Sequence, residues 1–113
     1  MKFEVIKKDK IGITMAIMDL VDIHTHKEPV FNPDTGITYT KNYIVFKFKN
    51  SLEDKLNIVN FQIPIEKECN ELVIMDIWKN MKDAIYNSNY IDTVIIDLEW
   101  LENTVKKCTK DGE

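Results

Sequence analysis

The hydrophobic period changes between two consecutive segments of the sequence, Leu56-Asn-Ile-Val-Asn-Phe-Gln-Ile-Pro-Ile65 and Asn70-Glu-Leu-Val-Ile-Met-Asp-Ile-Trp-Lys-Asn-Met-Lys-Asp-Ala-Ile-Tyr-Asn87. A short polar connection separates them. In the first segment every second residue from Val59 is apolar, which is typical of a strand. In the second, apolar residues recur at intervals of three or four, which indicates a helix. We therefore predict a strand over 56–65 and a helix over 70–87, with Asn70 as its N-cap.

Alternation of apolar residues also predicts strands over 2–7, 11–23 and 37–49. The second of these is apolar on both faces, so we expect it to be central or covered. One of its faces carries Ile11, Ile13, Met15, Ile17, Val21 and Ile23, and the other carries Ala16, Met18 and Leu20. Phe46, Phe48 and Phe61 alternate with polar residues and are assigned to the core.

Prolines and glycines mark the connections. Residues 27–36 are predicted to form a loop, with Pro33 and Gly36 supplying the dihedral angles of a turn. Pro64 lacks an N–H for a sheet ladder, so its strand is expected at a sheet edge.

Residues 90–108 permit two structures. Their apolar residues step by three and four, which favours one long helix, but β-branched residues between 91 and 96 favour a strand over 91–97 before a helix over 98–107. Both alternatives stay open. The chain as a whole (1–113) is predicted to be a single α+β domain, an antiparallel β-meander of about four strands followed by one or two helices packed on the sheet.

Composition restricts the function. All 15 basic residues are lysines and the net charge is −4. Without arginine, bidentate recognition of guanine or phosphate is excluded. Residues 66–102 hold nine acids and three lysines, a net of −6, so we expect no direct nucleic-acid ligand although Tyr39 and Tyr43 lie among lysines.

Compartment and redox state follow from similar reasoning. The chain contains no apolar run long enough for a membrane span and its start does not resemble a signal peptide, which predicts a cytoplasmic protein without a membrane partner. Cys69 and Cys108 belong to no CxxC pair; a disulfide between them is one alternative, but free thiols in a reducing compartment are favoured. We expect no cofactor.

One motif could bind a metal. Asp22, His24 and His26 alternate on a strand and would share one face. The pattern resembles the Asp-x-His-x-His signature of amidohydrolase and PHP-type metal hydrolases, which implies a metal-dependent hydrolase. Those enzymes are barrels of about 200 residues or more with further ligands on later strands. This chain has no third histidine, so we expect no metal site and name these residues only as weak candidates.

Acidic and aromatic residues are interleaved near the end of the chain. Charge steers encounter and aromatic side chains supply affinity at protein interfaces, so this segment is the predicted partner-binding site. Trp100 lies off the helical stripe and would be exposed in such a site; the alternative is that Trp100 belongs to the core and the segment is only the solvated face of a terminal element. The predicted site consists of Tyr90, Asp92, Asp97, Glu99, Trp100 and Glu102.

The sequence therefore predicts a small acidic protein-binding domain that is not an enzyme. Its expected partner is a larger protein with a basic surface, such as a nucleic-acid-binding groove. Small inhibitors that come from phages and mobile elements, including anti-CRISPR proteins, and immunity proteins that block toxins often have similar size and charge. The alternatives are a structural subunit of a phage particle or other assembly that uses edge strand 56–65, and the metal-binding hydrolase.

Overall fold

The computed structural model describes residues 1–50, 57–88 and 94–109. These residues form five strands and two α-helices. The elements are β1 (Lys2–Lys8), β2 (Ile13–Asn32), β3 (Ile37–Asn50), β4 (Asn57–Ile65), α1 (Glu71–Asn87), β5 (Ile95–Ile96) and α2 (Leu98–Thr109).

The strands form one sheet in the order β4-β3-β2-β1-β5. Strands β1 to β4 are an antiparallel meander, and β5 pairs in parallel with β1. The predicted α+β class, the strands and the helix over 70–87 are confirmed. Of residues 90–108, the described part from 94 onward is a short strand followed by a helix, and residues 90–93 lie outside the described residues.

Local hydrogen bonds explain where several elements begin and end. The Asn70 side chain accepts hydrogen bonds from the backbone N–H groups of Leu72 and Val73 at 3.1 and 3.2 Å, which caps α1. Gly36 has φ 69°, a left-handed conformation that glycine adopts without strain, and it closes the turn between β2 and β3. The Gly36 N–H donates to the Asn32 carbonyl at 2.8 Å.

A β-bulge in β2 changes which residues face the core. Leu20 pairs with Phe48 and Asp22 with Lys47, so Val21 is an extra residue in the ladder. Ile23 consequently lies on the same face as Leu20. The prediction of one continuous apolar face from Ile11 to Ile23 is wrong for this reason. Met18, Leu20 and Ile23 are buried, whereas Ile11, Ile13, Met15, Ile17 and Val21 are exposed.

The core lies between one face of the sheet and the two helices. Phe46, Phe48 and Phe61 are buried there, as predicted. The ring of Phe48 makes edge-on contacts with Phe3 and Phe61, with ring centroids 6.3 and 5.9 Å apart. Burying side chains of this size stabilises the fold by about 1.5–3 kcal/mol each. Helix α1 contributes Ile77 and Met81 to this core, and α2 contributes Leu101 and Val105.

The prediction of a loop over 27–36 is wrong for its first six residues, because β2 continues to Asn32 and only 33–36 form the turn. Among the described residues, β1 pairs with β2 only up to Asp19, and β4 pairs with β3 only from Asn42. Residues 27–41 therefore form a two-stranded ribbon beyond the sheet, which we call the arm. Pro29 is tolerated there because both strands of the arm are edge strands.

The arm makes the molecule elongated. The radius of gyration is 15.8 Å and the longest dimension is 52 Å. A compact domain of this length would have a radius of gyration of about 13 Å. Neither helix in the described ranges is long and apolar enough to cross a membrane.

Candidate protein-binding site

The structure places the predicted partner-binding residues at the start of α2, except Tyr90 and Asp92, which lie outside the described residues. Asp97 precedes the helix, and its carboxylate accepts a hydrogen bond from the Trp100 N–H at 2.8 Å. It therefore acts as the N-cap of α2. Trp100 is half-buried and packs against the core, which agrees with the alternative that placed it there.

The remaining acids do not form a single patch. Asp97 and Glu99 line a cleft of about 630 Å³ together with Lys7, Lys8 and Phe61. The Lys7 Nζ donates to the Asn60 carbonyl at 2.6 Å and lies 5.5 Å from the Phe61 ring centroid. Lysines therefore face the two acids across this cleft. Glu102 lies on another groove, so the predicted surface is divided by α2.

The groove that Glu102 lines, which we call the acidic groove, lies between α2 and the connection from β4 to α1. Its volume is about 690 Å³. Glu66, Glu68 and Glu102 stand on its walls together with Lys67 and Lys106. Its lining is completed by Ile63, Pro64, Ile65, Cys69, Asn70, Val73, Val105 and Thr109. The lining is mixed polar and apolar, and its three acids outnumber its two lysines, which favours a lysine or arginine side chain with an apolar stem and a charged end.

Neither cysteine has the character of an activated nucleophile. Burial raises the pKa of the Cys69 thiol, and the neighbouring Glu68 carboxylate raises it further against the effect of a backbone hydrogen bond. Burial and then Asp76 likewise raise the pKa of Cys108, whose Sγ lies 3.4 Å from the Asn80 Nδ2. Both thiols are free, as predicted. Cys69 and Val73 form part of the groove wall.

The base of the arm is attached to the acidic groove. Lys27 Nζ lies 2.5 Å from the Glu68 carboxylate. In the sheet register Lys27 pairs with Asn42, which in turn pairs with Ile65 at the end of β4. The arm and the acidic groove are therefore adjacent parts of one surface. The alternation of a strand places Phe31 on the same face of the ribbon as Lys27.

Exposed apolar side chains lie near the tip of the arm. Phe31 is 61% exposed and Ile37 62% exposed, and Tyr39 is exposed as well. Sequence reasoning missed this feature because Pro29 and Pro33 suggested a loop. The available signal was the β-branched and aromatic content of 37–40, Ile-Thr-Tyr-Thr, and of 30–31, Val-Phe, on either side of a strong turn.

The histidine motif lies on the face of the sheet that the helices leave uncovered. His24 Nδ1 is 2.6 Å from the Asp22 carboxylate, while His26 lies against the Tyr43 ring at a centroid distance of 6.2 Å. Within 1–50, 57–88 and 94–109, no group of three or more His, Cys, Asp or Glu side chains could hold a metal ion. Asp22 and His24 therefore form one carboxylate–imidazole pair.

Charge is distributed unequally between the layers. The helical part, residues 66–88 and 94–109, carries eight acids and five lysines. The described part of the sheet and its turns, residues 1–50 and 57–65, carries six acids and eight lysines. The helical side is therefore the acidic side of the molecule, and the arm joins the sheet beside it. No protein family model, curated protein or solved structure matches the chain.

Proposed function

We propose that this protein is a binding domain without catalytic activity, which inserts the arm into a cleft of a larger protein and places its acidic groove against a basic surface beside that cleft. The arm is the observation that carries the proposal. A two-stranded ribbon without a covered face is marginally stable in water. Side chains such as Phe31 and Ile37 gain on the order of 1–2 kcal/mol each when a partner covers them.

The charge of the acidic groove indicates which charge the surface of the partner should carry. Glu66, Glu68 and Glu102 would attract lysines or arginines of the partner and accelerate encounter. The Lys27–Glu68 contact joins the arm to this groove, so both would meet the same partner. Nucleic-acid-binding proteins present such basic clefts, and an arm that occupies one excludes the nucleic acid. This mode of action is that of a phage or mobile-element inhibitor, or of an immunity protein.

Binding variants test the proposal. The chain is immobilised to capture partners from a bacterial lysate, and each captured protein is then purified and its affinity for the soluble chain is measured by calorimetry. We expect the double variant Phe31→Ser, Ile37→Ser to weaken the affinity at least about tenfold, the loss expected when two apolar anchors are removed.

Ile11→Ser is the matched control, because Ile11 is 97% exposed and lies in the turn before β2, away from the arm. It should bind as the unmodified chain does. Melting temperatures verify that all variants fold. The proposal is wrong if the arm variant retains full affinity, or if Ile11→Ser loses as much affinity as the arm variant.

A structural subunit of a larger assembly is the second candidate. β4 lies at the edge of the sheet, as its proline predicted, and Pro64 pairs with Tyr43 on its inner side. An edge strand can pair with another chain, although a proline removes one donor from the ladder. Electron microscopy of the concentrated protein should show regular particles or filaments if this candidate is correct, and dispersed small particles if it is not.

A further inference from the structure

The face of the sheet that the helices leave uncovered carries an apolar patch on β2 and β5. Ile13 and Met15 are each 62% exposed, Ile17 is 50% exposed and Ile95 is 54% exposed. The three β2 residues share this face because they alternate along one strand. Ile95 joins them, since Ile17 and Ile95 pair with the same β1 residue, Glu4, from its two sides. Contiguous exposed apolar surface of this kind marks an interaction site.

Opposite charges stand at the two ends of this patch. The register places three rows of residues across the face, each with one member on β1 and one on β2: Glu4 with Ile17, Ile6 with Met15, and Lys8 with Ile13. Glu4 and Lys8 are therefore equally distant from the middle row. Within the described part of the chain, neither of them forms an ion pair.

We propose that a second copy of this chain packs its apolar patch face to face on this one, about a two-fold axis that lies between the two sheets and crosses the strands at the middle row. Such an axis reverses the strand direction of the second copy and exchanges the two outer rows. Met15 then contacts its own counterpart on the axis, and Ile13 packs against Ile17 of the second copy. Glu4 of each copy faces Lys8 of the other.

Charge favours a second copy over an unrelated partner. Because the opposite charges are placed symmetrically about the middle row, one interface contains two Glu4–Lys8 pairs and opposes no like charges within the three rows. Packed sheet faces lie about 10 Å apart and align within about 30°, a spacing that interdigitated isoleucine and methionine side chains fill. The arm lies at the far end of β2 and the acidic groove on the helical side, so neither takes part in this interface.

Sedimentation velocity of the full chain over micromolar concentrations tests the proposal. We expect a concentration-dependent dimer. Met15→Lys should raise the dimer dissociation constant at least about tenfold, because it places two lysines against each other on the axis. The melting temperature of the variant at low concentration should be unchanged, since Met15 is largely exposed in the single chain. Leu72→Lys is the matched control, because Leu72 is 68% exposed on α1, on the other side of the sheet, and this variant should dimerise normally.

Charge swaps test the two-fold register. Glu4→Lys and Lys8→Glu, made separately, should each raise the dissociation constant at least about threefold at low salt, because each opposes like charges in the outer rows. The double variant Glu4→Lys, Lys8→Glu should dimerise as tightly as the unmodified chain, since opposite charges then face each other again.

Three results would overturn the proposal. The first is a monomer throughout the micromolar range. The second is a dimer that Met15→Lys leaves intact, or that Leu72→Lys weakens as strongly as Met15→Lys does. The third is a dimer that the single charge variants do not weaken, or that the double charge variant does not restore. None of these results bears on the arm, whose binding to a partner is measured separately.

Discussion

Lys27 Nζ and the Glu68 carboxylate lie 2.5 Å apart and connect the base of the arm to the segment between β4 and α1. Both side chains are more than half exposed, so water screens the attraction. A double-mutant cycle with Lys27→Ala and Glu68→Ala should therefore give a coupling energy below about 1 kcal/mol in urea unfolding. The coupling should decline further in high salt. A coupling that is large and insensitive to salt would contradict this.

Trp100 should matter for stability. It is half-buried against the core, so Trp100→Ala should reduce the free energy of unfolding by about 2 kcal/mol, less than for a fully buried tryptophan. Trp100→Phe should recover most of the loss. The exposed neighbour Glu99 supplies the control, since Glu99→Ala removes no core contact. Equal stability of Trp100→Ala and Glu99→Ala in urea titrations would show that the tryptophan does not pack as described.

The acidic residues around α2 should increase the rate at which this protein associates with its partner. The triple variant Asp97→Asn, Glu99→Gln, Glu102→Gln keeps the N-cap because asparagine caps as well as aspartate. It should leave the melting temperature nearly unchanged, while surface plasmon resonance with the captured partner should show slower association and a weaker salt dependence. Asp97→Ala alone should cost about 1 kcal/mol of stability by removing the cap. A triple variant that associates at the normal rate would refute the steering role that the sequence predicts for Asp97, Glu99 and Glu102.

The two cysteines should make the protein less stable in alkali. Burial raises the pKa of Cys69 and Cys108, so the folded state keeps these protons at a pH where the unfolded chain loses them. Their contribution is fully present below the ordinary thiol pKa and is lost as pH rises through the raised values. Alkylation by iodoacetamide should therefore have its pH midpoint above that of a cysteine peptide. The Cys69→Ser, Cys108→Ser variant should lose less stability between neutral and alkaline pH.

Asp22, His24 and His26 should hold no stoichiometric metal. His24 is already bonded to Asp22, and His26 lies against Tyr43. We expect elemental analysis of protein purified without chelator to find no zinc or manganese in proportion to the chain. One metal per chain that disappears in the His24→Ala, His26→Ala variant would show that the prediction is wrong.

The local pattern of apolar, capping and turn-forming residues was sufficient to predict much of the fold. The change of period after Ile65, the cap at Asn70 and the turn at Gly36 each depend on residues close together in sequence, and the structure agrees with all three. The core phenylalanines were also predictable, because alternation determines which strand residues share a face. The α+β class follows from the order of these elements.

Other features depend on contacts between distant parts of the chain. The bulge at Val21 moves Ile23 to the core face, and it is defined by the register of β2 against β3. Without that partner, β2 shows only unbroken alternation. Similarly, Trp100 is half-buried against the core because α2 packs on α1 and on the sheet, which the stripe of α2 alone did not reveal.

The sequence by itself determined most of the elements and their order, the acidity of the last third and the lack of arginine, because these depend on composition and on neighbours along the chain. Only the tertiary structure decided that, among the described residues, β2 and β3 extend beyond the strands on either side of them and form the arm. The physical reason is that exposure of a strand depends on where its partners begin and end. That property belongs to the register of the sheet and to no single segment.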